Sequence, residues 1–205
     1  RTFWNIVKIE DSQVLAKNNK LIFLIGASYH DYKNHLRFIQ ACQYSIEKLG
    51  IDRNAFEVHC YGNFMLPDNA PHINQLNEEI GHVGLEDVFI LHEAIRELYS
   101  KMKGADFIVL PSLFEGCPNV IIEGMAMAKP VMASEVCANS YIIPSNGGYL
   151  FDPLSIGDMA KQIHKAINTT ATKRKEMGLE NRKRCIEMFS AEKNLKLLED
   201  ALLEM

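Results

Sequence analysis

The chain has 205 residues, with 22 basic and 26 acidic side chains and a formal net charge of −4, so it lacks the basic surplus of a nucleic-acid-binding protein. Hydrophobic residues make up 47% and charged residues 23%, which is typical of a globular protein. No apolar run approaches the ~20 residues of a transmembrane helix. We therefore expect one folded domain over residues 1–205 that binds no nucleic acid.

The cysteines and the first residues indicate where the protein works. Five cysteines are scattered singly without a C-x-x-C pair, which predicts neither a zinc site nor a disulfide framework and favours the reducing cytoplasm. Residues 1–7 lack the features of a signal peptide, and the chain has no initiator Met. We interpret the chain as part of a longer cytoplasmic protein.

Apolar runs of strand length alternate with segments of helical periodicity, which predicts parallel strands joined by crossover helices. Strands are predicted at residues 21–26, 56–62, 88–91, 107–111, 130–133 and 148–151. Helices are predicted at residues 36–49, in a short segment ending near Gly81 after turns at Pro67 and Pro71, at 98–102, 120–127 and 156–167, and in two further segments at the end of the chain. The pattern predicts a doubly wound, Rossmann-like α/β domain with ligands at the carboxyl ends of the strands.

Several helix ends carry capping signals. Gly50 follows the first helical stripe as a stop, and Ser155 with Asp158 predicts the start of the helix over 156–167. Residues 1–19 are expected to be a lead-in. The last helix is expected over 190–205, with Ser190 as its N-cap and an apolar stripe formed by Leu195, Leu198, Leu202 and Met205.

The common nucleotide fingerprints are absent from this α/β sequence. Gly26 is the only glycine near the first strand-to-helix turn, so neither G-x-G-x-x-G nor a P-loop is present. The sequence also lacks a D-x-D pair and a cluster of His and carboxylate residues at ligand spacing. These absences argue against an NAD enzyme and a P-loop ATPase, and we expect no bound metal.

The most informative stretch follows the strand over residues 107–111. A loop containing Glu115 and Gly116 leads to Pro118, which is expected in the first turn of a helix. The amides of residues 119–121 would then point into the crevice at the strand ends, where the helix dipole favours a phosphate. Glu123, in the first or second turn of that helix, and Glu115 would bracket this anion site and accept hydrogen bonds from hydroxyl groups. A sugar nucleotide carries both a diphosphate and hydroxyl groups.

The segment EGCPNVIIEGMAMAKPVMAS, with seven residues between Glu115 and Glu123, resembles the E-x7-E motif of the group 1 retaining glycosyltransferases of GT-B fold. LIFLIGASYHDYKNHLRFIQA is similar to the family's first strand and Lys-Asn turn, and NGGYLFDPLSIGDMAKQI to its glycine turn and following helix. The resemblance covers roughly residues 20–190. It is confined to the carboxyl-terminal, donor-binding half of such an enzyme.

This resemblance implies transfer of a hexose from a nucleoside-diphosphate sugar to a saccharide or lipid-linked acceptor, in polysaccharide or cell-surface glycan biosynthesis. The amino-terminal half would supply the acceptor site, and this chain alone would be inactive. The donor would be the only small molecule required, without a metal or another cofactor. The full-length enzyme would be cytoplasmic or would associate peripherally with the inner face of the membrane.

The resemblance also assigns roles to residues. It implies that Glu115 faces the donor sugar and that Lys33 neutralises the departing diphosphate, which makes these two the catalytic candidates. Glu123 would accept hydrogen bonds from the ribose hydroxyls, the segment Gly116–Val120 would offer backbone amides, and a loop around Leu91 and His92 would hold the base. The donor-binding candidates are Glu123, Gly116, Cys117, Pro118, Asn119, Val120, Gly26, Leu91 and His92.

Two departures from the family pattern leave alternatives open. Ala27 stands where the family usually has an Arg, and Arg37 is either its substitute or an ordinary helix-surface cation. Ser140 and Tyr141 stand where the family often has a Glu, ahead of the turn at residues 146–148. The alternative to an enzyme is a non-catalytic Rossmann-like nucleotide-binding or interaction module, in which Glu115 and Glu123 are ordinary surface carboxylates.

Overall fold

The computed structural model describes residues 20–63 and 70–203. In these ranges six parallel strands form one sheet in the order β3-β2-β1-β4-β5-β6. The strands are β1 (Leu21–Gly26), β2 (Phe56–Gly62), β3 (Phe89–Glu93), β4 (Phe107–Leu110), β5 (Val131–Ser134) and β6 (Gly148–Phe151). The predicted fold class is confirmed, because this is the strand order of a doubly wound sheet.

Helices connect the strands and extend the chain after β6. They are α1 (His35–Leu49), α2 (Ala70–His82), α3 (Leu98–Gly104), α4 (Asn119–Ala126), α5 (Asn139–Ile142), α6 (Ile156–Ile167), α7 (Ala171–Phe189) and α8 (Ala191–Leu203). Short 3-10 helices at Asp31–Lys33 and Arg53–Ala55 precede α1 and β2. The order of strands reverses between β1 and β4, which is where open α/β sheets bind ligands.

The sheet separates two apolar layers. Phe23, Val58 and Phe107 lie on the face covered by α1, α2 and α6. Leu24 and Ile108 lie on the opposite face, which α3, α4 and α7 cover. Both faces are therefore buried, and this explains why the central strands read as unbroken apolar runs.

The capping signals of the sequence act as predicted at two helix ends. Gly50 ends α1 with φ 68°, a left-handed conformation that glycine adopts without strain. The hydroxyl of Ser155 accepts a hydrogen bond from the Asp158 N–H at 3.2 Å and so caps α6.

The structure corrects the sequence-based prediction at several other helix and strand ends. Pro71 lies in the first turn of α2 rather than in a turn-rich stretch, since its missing N–H costs nothing there. The strand β3 runs to Glu93, two residues beyond its predicted end. Leu195, which was assigned to the apolar stripe of the last helix, is 50% exposed. The preceding residue, Asn194, is buried instead. The other residues of the predicted stripe lie outside the side chains that the structure describes, namely Leu198, Leu202 and Met205. Pro67 and the lead-in 1–19 also lie outside the described residues.

Within residues 20–63 and 70–203, none of the helices is both long enough and apolar enough to span a bilayer.

Candidate functional site

A lysine and a glutamate from two loops meet at the point where the strand order reverses. Lys33 ends the 3-10 helix after β1, and Glu115 lies in the loop after β4. The Lys33 Nζ donates to Glu115 Oε1 at 2.6 Å, and the side chains are only 16% and 10% exposed. The two residues predicted to be catalytic are therefore in direct contact, as a largely buried ion pair.

Tyr29 anchors the loop after β1 to the backbone of β2 and β3. It is fully buried, and its hydroxyl lies 2.8 Å from both the Cys60 and His92 carbonyl oxygens and accepts the His92 N–H at 3.2 Å. A Cβ at Gly62 would come within 2.7 Å of its ring, so glycine is required where β2 ends. Burial raises the pKa of Tyr29 far above its usual value, and the hydroxyl stays neutral.

Asn34 anchors the same loop from its other end. Its backbone is left-handed, with φ 62°, a conformation that asparagine adopts more readily than most residues. The side chain is buried and its Nδ2 donates to the Pro111 oxygen at 3.0 Å and to the Pro153 oxygen at 2.9 Å. Asn34 thus joins the ends of β1, β4 and β6, and it holds its neighbour Lys33 in place.

The loop after β4 contacts the loop after β1 through both backbone and side chains. The Leu113 N–H donates to the Tyr32 oxygen at 2.7 Å. The rings of Tyr32 and Phe114 stack with centroids 5.1 Å apart, and Lys33 Nζ lies 5.1 Å from the Tyr32 centroid. Phe114 itself is 59% exposed. The segment that carries Glu115 is therefore supported by the preceding loop.

The start of α4 differs by one residue from the sequence prediction. Pro118 is the residue before the helix, not part of its first turn, and its carbonyl accepts the N–H groups of Ile121 and Ile122 at 3.0 and 3.1 Å. The Ile121 amide is thus used inside the helix and cannot serve a ligand. Val120 N–H has no partner in the described parts of the chain and is the amide best placed for an anion.

Gly26 and Val120 bring α4 against the end of β1. A Cβ at Gly26 would lie 2.6 Å from Leu98 and 3.0 Å from Val120, so the absence of a side chain permits this packing. Glu123 is three residues after Val120 on α4, so the two residues are neighbours on the helix surface. It is half-buried, and burial raises the pKa of its carboxyl above the usual value.

Gly116 has open space where a side chain would be, since a Cβ there meets no atom within 4 Å. The backbone is open at this point, and the role of Gly116 in donor binding stays a prediction. Cys117 and Asn119 flank the same loop and helix start, the first half-buried and the second exposed. The candidate donor-binding residues 116–120 therefore form one continuous edge beside the Lys33–Glu115 pair.

The prediction of a loop around Leu91 and His92 is wrong. Both residues lie inside β3, because pairing with β2 continues to Gly62 and Glu93. His92 Nε2 lies 2.9 Å from His59 Nδ1, and its ring is parallel to that of Tyr61 with centroids 4.5 Å apart. Burial, with His59 and Lys101 nearby, lowers the pKa of His92. The loop that follows β3 begins after Glu93.

The structure also shows the contacts of the residues at which this sequence departs from the family pattern. The Ala27 N–H donates to the Tyr61 oxygen at 3.1 Å and extends the β1–β2 pairing by one residue. Arg37 donates to the Asn34 side-chain oxygen at 3.1 Å on the α2 side of the loop. Ser140 and Tyr141 are exposed on α5, and the guanidinium of Arg184 lies 5.4 Å from the Tyr141 ring.

Tyr29 and Asn34 fix the loop geometry. Sequence reasoning placed Asn34 in a Lys-Asn turn without assigning it a role, and it did not single out Tyr29. Asn in a Lys-Asn pair before a helix is a signal for a left-handed residue, whereas a buried tyrosine in a loop gives no periodic signal. No group of three or more metal-ligating side chains occurs in the part of the chain that the structure describes.

Comparison with known proteins identifies the family. The profile of the family "Glycosyl transferases group 1" matches residues 19–169, about three quarters of the chain. The chain belongs to this family. The group 1 glycosyltransferase profile thus covers all six strands, the Lys33–Glu115 pair and α4.

Two curated proteins similar to this group 1 domain are named as glycosyltransferases. An uncharacterized glycosyltransferase of Methanocaldococcus jannaschii is 32% identical over 132 residues, which are 64% of this chain and 33% of that protein. The UDP-Gal:alpha-D-GlcNAc-diphosphoundecaprenol alpha-1,3-galactosyltransferase of Escherichia coli is 24% identical over 191 residues, 92% of this chain and 47% of that protein. The chain spans less than half the length of these relatives.

Solved structures show the same fold. The chain is similar to TarM of Staphylococcus aureus, with a TM-score of 0.83 and 24% identity over 98% of this chain and 38% of TarM. It is also similar to HepE of Anabaena, with a TM-score of 0.81 and 17% identity over 91% of this chain and 49% of HepE. The group 1 domain therefore has the Rossmann-like architecture of one half of a GT-B glycosyltransferase.

Proposed function

We propose that this chain is the carboxyl-terminal, donor-binding half of a glycosyltransferase that transfers a hexose from a nucleoside-diphosphate sugar. One observation carries the proposal: Lys33 and Glu115 meet at 2.6 Å at the switch point of the sheet, beside the start of α4. A fixed cation next to a helix N-terminus suits a diphosphate, and a carboxylate suits sugar hydroxyls. The family match supports the same reading.

Known structures of similar fold support a nucleoside diphosphate as the common ligand. HepE has been solved in complex with UDP and glucose, and TarM with UDP. In this chain the Val120 amide and Lys33 would contact the phosphates, and Glu123 would accept hydrogen bonds from the ribose. The raised pKa of Glu123 is consistent with a carboxyl that gains partners only when a ligand binds.

Catalysis in this proposal is electrostatic. As the bond between the sugar and the diphosphate breaks, negative charge develops on the leaving diphosphate, and the Lys33 ammonium and the Val120 N–H stabilise it. Glu115, held by Lys33, would orient the donor sugar. Lys33 would contact the phosphates once Glu115 releases it, and the loop after β1 would not have to reorganise.

The acceptor, the metal requirement and the location are further parts of the proposal. A saccharide or lipid-linked acceptor is supported by the Escherichia coli relative, whose name specifies a diphosphoundecaprenol-linked substrate. We expect binding without a metal, with the acceptor site in an amino-terminal half. A lipid-linked acceptor would place the full-length enzyme in the cytoplasm, at the inner face of the membrane.

Calorimetric titration of the purified chain with UDP, GDP and ADP, with and without EDTA, tests donor binding. Glu123→Gln should weaken nucleotide binding by roughly tenfold, because hydrogen bonds to a charged acceptor contribute about 1.5–3 kcal/mol. Lys33→Gln should weaken it as well, and the affinity of the unmodified chain should fall with added salt. Glu115→Gln should not weaken the bare nucleotide, because it removes the anion that competes for Lys33.

Glu78→Gln is the matched control, because it removes the same charge as Glu123→Gln from an exposed position on α2. It should leave the nucleotide affinity unchanged. Failure of all three nucleotides to bind would contradict the proposal and favour the non-catalytic module, for which Ala27 in place of a second cation is the supporting observation. A requirement for magnesium or manganese would contradict the metal-free part.

A further inference from the structure

Two histidines of neighbouring strands point at each other near the β3 edge of the sheet. His59 lies in β2 and His92 in β3, and His59 Nδ1 is 2.9 Å from His92 Nε2. Their ring planes differ by only 5°, and their centroids are 5.2 Å apart. Parallel rings at this separation bring two nitrogens so close only when they lie edge to edge in nearly one plane. This is the geometry of an in-plane N–H···N hydrogen bond, with one proton between the two rings.

A neighbouring carboxylate decides which histidine donates. His59 Nε2 lies 3.1 Å from Glu57 Oε2, and a carboxylate only accepts hydrogen bonds, so this nitrogen carries the proton of the neutral His59 ring. Burial raises the pKa of the Glu57 carboxyl, but the hydrogen bonds from Lys20 and His59 outweigh burial and hold that pKa below its usual value. Glu57 therefore stays ionised. His59 Nδ1 is then the acceptor of the shared hydrogen bond, and His92 Nε2 is its donor.

The hydrogen bond between the two histidines survives one added proton but not two. With one added proton, either ring can be the imidazolium, because the other ring still offers a lone pair. With two added protons both facing nitrogens are donors, and repulsion between two cations replaces the hydrogen bond. A zinc ion between the nitrogens would need about 2.0–2.1 Å to each of them along the line that joins them, which exceeds the 2.9 Å available. The pair is therefore built for a proton.

The charges around the pair favour the first proton and oppose the second. In the described residues, the pair is contacted or faced by Lys20 before β1, Glu57 and Tyr61 in β2, Tyr29 in the loop after β1 and Lys101 in α3. Burial, with His59 and Lys101 nearby, lowers the pKa of His92. The Glu57 carboxylate stabilises a cation on His59. A second proton would have to enter beside that cation.

His92 also connects the pair to the loop after β1. Its N–H donates to the Tyr29 hydroxyl at 3.2 Å, and its carbonyl oxygen lies 2.8 Å from the same hydroxyl. Tyr29 anchors the loop that carries Lys33. A displacement of His92 in the edge strand would therefore act on this anchor.

We propose that His59 and His92 form a proton-controlled latch, which joins β3 to β2 while the pair holds at most one positive charge and opens when both rings are protonated. Opening in acid loosens the Tyr29 anchor and with it the segment that carries Lys33. The latch depends neither on the donor nor on the transfer reaction proposed above.

NMR of the purified chain with ¹⁵N-labelled histidine tests the shared proton directly. Near neutral pH we expect a coupling between His59 Nδ1 and His92 Nε2, because nuclear coupling across this contact requires the hydrogen bond. The signals are assigned by their loss in His59→Gln and His92→Gln. The coupling should persist while the pair takes up its first proton and should disappear with the second. Absence of the coupling near neutral pH, or its persistence with both rings protonated, would overturn the proposal.

Urea denaturation measures what the latch contributes to folding. In the unfolded chain both histidines take up protons at the ordinary pKa of about 6.5, whereas the folded pair resists the second proton. The contribution is therefore present above this pKa and is lost as the pH falls from it toward the lowered pKa of His92. From about pH 7.5 to 5.5, the unfolding equilibrium constant should rise roughly tenfold more in the unmodified chain than in His92→Gln, which cannot take up the proton. An equal rise in both would contradict the latch.

The backbone N–H signal of Lys33 reports the link to the loop after β1. It should move in the acid range in which the histidine coupling is lost, and it should stay in place in His92→Gln. His30 and His72 also lie by this loop, so a movement that persists in His92→Gln would come from them and would overturn the link. His82→Gln, which removes an exposed imidazole in the last turn of α2, is the matched control and should behave like the unmodified chain in every measurement.

Discussion

The two loops that form the candidate site are held in different ways. The loop after β1 is fixed by buried side chains, because Tyr29 bonds the ends of β2 and β3 and Asn34 bonds the carbonyls of Pro111 and Pro153. The loop after β4 exposes Phe114 and leaves open space at Gly116. The cation of the site therefore belongs to a rigid frame, and the carboxylate to a segment that depends on that frame.

This difference suits the proposed chemistry. A preorganised cation stabilises developing charge without paying for reorganisation during the reaction. A carboxylate on a more open loop can release its lysine when a diphosphate arrives. The comparison predicts that substitutions in the first loop affect folding strongly and that substitutions in the second affect it little.

The largest effect is expected for Asn34→Ala. It leaves two buried carbonyls without their donor, at about 1–3 kcal/mol for each unsatisfied group, and puts alanine in a left-handed conformation at a cost of about 1–2 kcal/mol. We expect a loss of about 3 kcal/mol or more in the free energy of unfolding, measured by urea denaturation.

Asn34→Gly separates the two causes, since glycine tolerates the positive φ while losing the same hydrogen bonds. It should be less destabilising than Asn34→Ala. A loss below about 1 kcal/mol for Asn34→Ala would show that the loop does not depend on this residue, which contradicts the proposed frame.

The next effect is that of Tyr29→Phe, which keeps the buried ring and removes only the hydroxyl. The Cys60 and His92 carbonyls and the His92 N–H lose their partner, so we expect a loss of about 2 kcal/mol in urea denaturation. Tyr44→Phe, at a 40% exposed position on α1, is the control and should stay within about 0.5 kcal/mol. Equal effects at both positions would deny Tyr29 its anchoring role.

The fold was predictable from the sequence because its strands are buried on both faces. Long apolar runs such as residues 21–26 cannot be placed on a solvated surface, and turn residues such as Gly50 mark where the helices end. The end of β3 was missed because His92 and Glu93 are polar. Pairing with β2 extends this edge strand, and a single sequence carries no signal for such pairing.

The site was predictable only in part. The order of Lys33, Glu115 and Glu123 along predicted strand ends indicated that they would converge, and Lys33 and Glu115 do meet. Their mutual pairing and the anchoring by Tyr29 depend on contacts between distant segments. Local periodicity contains no information on contacts of this kind.

A smaller, pH-dependent effect is expected at Glu123. Burial raises its pKa above the ordinary 4.5, so the folded chain holds this proton more tightly than the unfolded chain. Stability from this group is therefore present below the ordinary pKa and falls as the pH rises through the raised value. Glu123→Gln should have a higher Tm than the unmodified chain at neutral pH and no advantage at about pH 4.

Glu78→Gln serves as the control for Glu123 because it removes the same charge from an exposed site on α2. Its Tm difference should be small and similar at both pH values. If Glu123→Gln has its advantage at low pH instead, Glu123 is stabilised as a carboxylate in the ligand-free chain, and its burial does not dominate.

The smallest effect is expected for Phe114→Ala, which tests the dependent loop directly. Phe114 is 59% exposed, and among the described residues its ring stacks only on that of Tyr32. Truncation to alanine therefore removes little buried apolar area. We expect a change within about 0.5 kcal/mol in urea denaturation, against about 3 kcal/mol for Asn34→Ala. A loss above about 1 kcal/mol would mean that the aromatic stack holds the loop after β4, and that the carboxylate is fixed as firmly as the lysine.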